Sequence, residues 1–233
     1  MSDSPGDLAG VSARQQLERL VGDGFPDPWA HARGPFTGEA RPAAVLMLFG
    51  VLDGLPADHD AQAEAVHQDL DVLLLARAAT LRSHAGQVAF PGGRADDGES
   101  MVAAALREAE EETGLDPSGV EVLGEFGALP MPVSNHVVTP VLGWWAKPTP
   151  VHVVDEAESS HVFRAPVADL LDPRSRVTVV LRHEGRTYRG PGFQVADGAT
   201  THLVWGFTGG LLDTLFDALG WTEPWDHTRE LNL

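Results

Sequence analysis

The sequence predicts an α/β fold built around a single core, and three observations carry that expectation. First, 17 Pro and 25 Gly punctuate the 233 residues, a density that suits short elements joined by many loops rather than a helical bundle. Second, the apolar runs are strand-sized: residues 43–52 and 72–76 are nearly continuous in Ala, Val, Leu, Met and Phe, the pattern of strands buried on both faces. Third, residues 100–113 carry a helical period that stops at Gly114, a residue suited to the left-handed position after a helix.

The remaining elements follow along the chain. Residues 1–40 read as an N-terminal extension. Within it, residues 11–21 form a short helix with Leu17, Leu20 and Val21 on one face, and Gly- and Pro-rich coil runs to residue 42. Residues 41–233 read as one domain. After the first strand, residues 53–69 are polar and acidic and read as a long, mobile surface loop. Residues 86–98 read as loop, and strands are expected at 120–126, 137–146 and 162–165. A hairpin pairs 176–183 with 186–188 across Glu184-Gly185. The last helix is expected over 201–219, ending at Gly220. With 43% hydrophobic residues, the chain is long enough to bury one sizeable core.

Composition removes several function classes. No run approaches the length of a membrane span. The start Met1-Ser2-Asp3-Ser4 carries an acid where a signal peptide needs a basic region and an apolar core. The absence of Cys eliminates disulfides, thiolate metal sites and thiol nucleophiles. The cytoplasm is the expected compartment, with no membrane partner. A net charge of −18 argues against nucleic acid as a partner, because its phosphates would be repelled. An anionic small molecule would need a local cation or a bound metal.

The chemistry concentrates between Gly93 and Leu115. On a helix, Val102, Ala105, Leu106 and Ala109 share the core face, whereas Glu108, Glu111 and Glu112 cluster within about 100° of arc on another face. Three like charges so placed repel one another, and they sit near a helix C-terminus where the macrodipole disfavours anions. A cation offsets that arrangement, and carboxylate oxygens suit Mg²⁺ or Mn²⁺. For three Glu alone, an exposed acidic face is the competing explanation in so acidic a chain.

The spacing decides between them. Gly93, five residues, Glu99, seven residues, then Arg107-Glu108-Ala109-Glu110-Glu111-Glu112-Thr113-Gly114-Leu115 resembles the box of the Nudix hydrolases, G-x5-E-x7-R-E-U-x-E-E-x-G-U with U aliphatic. Every fixed position is met, Ala109 being the smallest residue able to serve as U. The resemblance implies the Nudix α/β/α sandwich with a mixed β-sheet and a metal-dependent cleavage of a diphosphate linkage. It implies that Glu108, Glu111 and Glu112 hold Mg²⁺ or Mn²⁺ or poise the attacking water, that Arg107 and Glu99 orient those carboxylates, and that Gly92 or Gly93 brings backbone to the metal. Which Glu is the general base stays open.

Upstream, Leu73-Leu74-Leu75-Ala76-Arg77-Ala78, then Arg82, Gly86 and Phe90-Pro91-Gly92-Gly93 resembles the signature of the coenzyme A diphosphatases, L-L-T-x-R-[SA]-x3-R-x3-G-x3-F-P-G-G. Leu75 departs from it, standing where that subfamily has Thr. Stretches 138–143 and 205–208 are also similar to that subfamily, so the resemblance runs from about residue 43 to 219. It implies coenzyme A as the nucleotide substrate, with Arg82, Arg77, Gly86, Phe90 and Gly93 as substrate-binding residues; a homodimer is one assembly open to such a protein. Isolated arginines are usually surface or ion-pair residues, but this substrate has a 3′-phosphate and a diphosphate that bidentate guanidinium groups suit.

Two alternatives stand beside this reading. Pro130, fifteen residues past Leu115, sits where ADP-ribose-cleaving relatives often have proline, so ADP-ribose or another nucleoside-diphosphate compound is a rival substrate. A Nudix-fold sensor that binds a nucleotide without turnover is the other; the intact Glu set argues against it. Asp155, Glu156 and Glu158 are candidates for a further carboxylate from a late loop, against the plainer reading of a solvated acidic loop. His161 occupies a place where similar proteins favour an acid.

Overall fold

The structure is a computed structural model, which describes residues 11–29, 36, 38–51, 56–80, 86–132, 134–183 and 185–233, the side chains of residues 183 and 186 excepted. Its elements are α1 (Ala13–Asp23), β1 (Arg41–Val51), β2 (Leu70–Arg77), β3 (Val88–Ala89), β4 (Gly92–Arg94), α2 (Met101–Thr113), β5 (Val120–Glu125), β6 (Leu129–Met131), β7 (His136–Trp145), β8 (Ser159–Pro166), α3 (Val167–Leu171), β9 (Arg176–His183), β10 (Arg186–Asp197), β11 (Thr200–Val204), α4 (Gly206–Ala218) and β12 (Glu230–Asn232).

An eight-stranded mixed sheet forms the centre. Its main path runs β3-β2-β1-β7-β5, with β4 paired to β1, β6 to β7 and β8 to β2. The β1–β7 ladder is parallel and the other pairings within this sheet are antiparallel. The pleat of β1 sends Ala44, Leu46 and Leu48 to one face, where they meet Ala104, Ala105 and Ala109 of α2. Met47 and Phe49 point to the opposite face, into a larger core with Leu17 and Leu20 of α1, Leu170 of α3, Phe193 of β10 and Leu211, Leu215 and Phe216 of α4. Both faces of β1 and β2 are thus covered, which is why their sequences are apolar without alternation. Each fully buried Leu or Phe in these layers contributes about 1.5–3 kcal/mol.

The helix that carries the acidic face is built from local signals. Ser100 caps its start, its Oγ accepting the Ala103 N–H at 3.2 Å. Gly114 ends it in the left-handed region (φ 67°), and its N–H bonds the Glu110 carbonyl. The three buried alanines let the helix lie close against the sheet, which brings the neighbouring glutamates down onto the edge of β4.

A second, four-stranded sheet has the order β11-β10-β9-β12. The expected hairpin of residues 176–183 with 186–188 is its centre, extended on the second strand to Asp197. The expected helix over 201–219 is corrected here: Thr200–Val204 is a strand paired with β10, and the helix begins only at Gly206. The β-branched run Thr200-Thr201 and the Asp197-Gly198 turn (Gly198 φ 57°) favour a hairpin, and the partner strand overrides the helical period that continues from α4.

The acidic segment after β1 also differs from the loose loop expected. Ala57, Ala65 and Val66 are buried, and Asp169 accepts the N–H groups of Asp58 and His59, each at 2.9 Å. Glu223 accepts from the Gln62 backbone at 2.9 Å and from its side chain at 3.1 Å, with His59 Nε2 at 3.0 Å. Three small apolar anchors without a period were too weak to read from the sequence. Helix α1 likewise lies on the main core, where Gln16 Oε1 accepts the Trp221 indole N–H at 2.7 Å.

Candidate active site

The site lies where the C-terminal half of α2 meets β4. Strand β4 runs beside β1, pairing Gly92 with Val45 and Gly93 with Ala44. A Cβ on Gly92 would fall 2.3 Å from the Ala44 carbonyl oxygen, and one on Gly93 would fall 2.4 Å from Glu108 Cδ. Glycine is required at Gly92, where a Cβ would strike the backbone of β1, whereas at Gly93 a Cβ would displace the Glu108 carboxylate.

Arg107 organises the carboxylates. Its Nε and Nη2 donate to the two Glu99 oxygens, each at 3.0 Å, in a bidentate pair. Nη1 donates to Glu108 Oε1 at 2.9 Å and Glu111 Oε2 at 3.1 Å, and Nη2 also reaches the Arg94 carbonyl at 3.0 Å. Glu99 in turn accepts the Asp96 N–H. The guanidinium holds the Glu99 carboxyl below the usual carboxylate range, and Glu99 and Glu108 raise the Arg107 pKa in return.

Glu112 is the buried member, 9% exposed, and its Oε2 accepts the Gly92 N–H at 2.9 Å. Burial pushes its pKa up to about 7; the Gly92 bond and the charge of Arg77 oppose that rise, whereas the charges of Glu108 and Glu158 add to it. Burial also raises Glu108, against its bond from Arg107 and with the charges of Glu111 and Glu158. Glu111 is largely exposed, its side chain 59% accessible. The charge of Glu158, exposed in the loop before β8, thus acts on both Glu108 and Glu112, whereas Asp155 closes its own turn through the Ala157 N–H and Glu156 is exposed.

The residues present fit a hard divalent cation. The buried Glu112 carboxylate with its one hydrogen bond and the neighbouring Glu108 and Glu111 carboxylates offer all-oxygen, anionic donors. The oxygens of Glu108, Glu111 and Glu112 are not all within 4.8 Å of one another; Arg107 draws two of them aside while Gly92 holds the third.

The upstream residues distribute unevenly around this face. Arg77 ends β2, and its charge acts on Glu112; its Nε is buried with no hydrogen-bond partner among the described residues. Gly86 (φ 69°) donates its N–H to the Arg77 carbonyl and borders a cleft of about 580 Å³ between the edge of β3 and the second sheet. Phe90, expected among the substrate contacts, is 3% exposed and packs in the main core. Leu75 is buried between Ala89 and Val162 on the neighbouring strands, a setting that accepts an aliphatic side chain in place of Thr. Arg82 lies outside the described residues.

Sequence reasoning missed what gathers around His161. Asp197 and His202, brought in by the β10–β11 hairpin, stand beside it, and His202 was hidden inside the expected helix. The Asp197-Gly198 pair followed by alternating residues was the signal available for that hairpin.

A mixed sheet with an acidic helix packed against a glycine strand, and a guanidinium ordering carboxylates that fit a divalent ion, define a metal-dependent hydrolase of phosphoric anhydrides. Residues 61–189 match the NUDIX domain, more than half of the chain, and the chain belongs to the Nudix family. A Nudix hydrolase named NudL from Cronobacter sakazakii, described as uncharacterized, is 39% identical over 150 residues, covering 64% of this chain and 75% of that protein. Its counterpart in Escherichia fergusonii is 41% identical over 157 residues with the same coverage. Among solved structures, a Nudix hydrolase from M. smegmatis, RenU, is 23% identical, covers 58% of this chain and 76% of its own, and superposes with a TM-score of 0.43. The protein is a hydrolase of pyrophosphate bonds, acting on nucleoside-diphosphate-linked substrates with the divalent ion that such enzymes generally need.

Proposed function

We propose that the enzyme hydrolyses the diphosphate of coenzyme A to 3′,5′-ADP and 4′-phosphopantetheine. The observation that supports this reading most is the position of Arg77: the coenzyme A-type signature ends β2 with a guanidinium whose charge acts on Glu112 and whose Nε lacks a partner among the described residues. A cation there suits a substrate that brings more anionic charge than the metal face alone would balance.

In this reading Glu108, Glu111 and Glu112 hold Mg²⁺ or Mn²⁺, which when bound neutralises the diphosphate and activates water. Arg107 keeps Glu99 and Glu108 in place, and Gly93 lets the Glu108 carboxylate lie directly against β4. Water adds its oxygen to one phosphorus, the bridging P–O bond breaks, and the leaving phosphate takes the electron pair. Arg77 orients the diphosphate, and Arg82 pairs with the 3′-phosphate.

The test is turnover of a panel: coenzyme A, its 3′-dephospho form, ADP-ribose, NADH and dinucleoside polyphosphates, each with Mg²⁺ and with Mn²⁺. Coenzyme A is expected to have the highest kcat/KM. Arg82→Ala should lower kcat/KM for coenzyme A by roughly 10- to 150-fold, the equivalent of a charge-assisted contact of about 1.5–3 kcal/mol. Activity on the dephospho form should barely change. A wild type indifferent to the 3′-phosphate, or faster on ADP-ribose, refutes the proposal in favour of the rival substrate.

A further inference from the structure

We infer that His161, Asp197 and His202 form a second metal site, separate from the acidic helix face and selective for a borderline transition ion such as Zn²⁺. Among the described residues these three are the set of His and carboxylate side chains whose ligand atoms all lie within 4.8 Å of one another. They come from two sheets: His161 from β8 of the central sheet, Asp197 and His202 from the β10–β11 hairpin. An ion here would cross-link the two sheets, which the His161–Asp197 hydrogen bond already joins at this point.

The geometry is that of a site held ready. His161 Nε2 is hydrogen-bonded to Asp197 Oδ2, so one imidazole and the carboxylate already share a point. His202 Nε2 lies 4.0 Å from the same oxygen; it is buried and has no hydrogen-bond partner among the described residues. An imidazole nitrogen sealed from water without a partner loses its hydration for nothing in return, unless it has a ligand. The rings pack together: His202 stacks on Phe163 at 4.4 Å and on His161 at 5.4 Å, each 14° from parallel. Preset orientation of this kind lowers the entropy lost on binding.

The donor chemistry separates this site from the other. Two imidazoles and one carboxylate favour Zn²⁺ and its neighbours, whereas the all-oxygen glutamate face favours Mg²⁺ or Mn²⁺. Three protein ligands leave a fourth position for water, and the His161 and Asp197 side chains, 46% and 29% exposed, give an ion a way in. His202 also borders the cleft shared with Gly86, Gln87 and Trp205, which puts the ion at the edge of that cleft.

The experiment is calorimetric titration of the metal-stripped full chain with Zn²⁺ in saturating Mg²⁺, with Co²⁺ absorption as a report on nitrogen ligands. One ion per chain is expected, retained in Glu112→Gln and weakened by on the order of 100-fold in His202→Ala and in the size-conserving His202→Gln. Zn²⁺ should raise the melting temperature of the wild type and leave that of His202→Gln unmoved, since only a ligand that binds the folded state shifts it. Thermal unfolding without metal confirms that each variant folds. Zn²⁺ binding lost in Glu112→Gln but kept in His202→Gln, or no binding beyond the glutamate face, overturns the assignment.

Discussion

Asp71→Asn tests the electrostatics of the central sheet directly. Asp71 sits on β2 between Gly50 and Pro166 of the adjacent strands, 3% exposed, with Oδ1 lacking a partner among the described residues. Burial raises its pKa from 3.8 to about 7; Arg164 opposes this, and Asp69 and Asp169 add to it. Below the unfolded value the carboxyl is protonated in both states, and its contribution to stability is fully present. As pH rises from 3.8 towards 7, the unfolded chain releases the proton while the folded chain keeps it. Stability then falls by up to about 1.4 kcal/mol per pH unit, and the full penalty is in place above about pH 7. Between about pH 5 and pH 8 that is at most about 2.7 kcal/mol, reduced to roughly 1–2 kcal/mol by solvent screening. Asn removes this titration at similar volume. Denaturant unfolding of both proteins at the two pH values isolates the effect, because every other group cancels in the double difference. The stability of Asp71→Asn relative to wild type is expected to rise by that amount towards pH 8. A difference that does not change with pH, or that falls, refutes the reasoning.

Three further outcomes concern the site and its supports. Glu108→Gln and Glu112→Gln should keep the fold yet lower kcat by on the order of 10²-fold or more, through lost metal affinity or a lost base; near-normal rates in saturating Mg²⁺ would remove both residues from the chemistry. Gly93→Ala should lose at least about tenfold in kcat/KM with a smaller effect on melting, because its Cβ displaces the Glu108 carboxylate; unchanged kinetics would show that the carboxylate has room to yield. Glu223→Ala should cost about 1–2 kcal/mol in denaturant unfolding, by leaving the part-buried donors of Gln62 and His59 without their acceptor. A loss below about 0.5 kcal/mol would mean that the segment after β1 is held by its apolar anchors alone.

Local signals made the site legible. The Ser100 cap, the Gly114 stop and the 3.6-residue period set α2, and that period alone places Glu108, Glu111 and Glu112 on one arc. The spacing of Glu99 and Arg107 is too long to read as a helix pair, yet the bidentate contact forms because the loop from Arg94 folds back over the helix face. The burial of Phe90 was not legible in the sequence for a related reason. A motif gives order along the chain but not which side of a strand-edge turn faces the core.

What the linear pattern decided about this protein is whatever depends on neighbours a few residues apart: the doubly buried strands, the capped acidic helix, the glycines that backbone must cross, and the absence of thiol chemistry. What only tertiary structure decided depends on partners far apart in sequence. The ladder that makes 200–204 a strand comes from residues 193–197. The anchors that pin the acidic segment come from Asp169 and Glu223. The neighbours that turn His161 from a lone residue into part of a ligand set come from 36 and 41 positions away, at Asp197 and His202. Short-range periodicity has no access to such pairings, because the free energy that selects them comes from surfaces that exist only once the sheets have met.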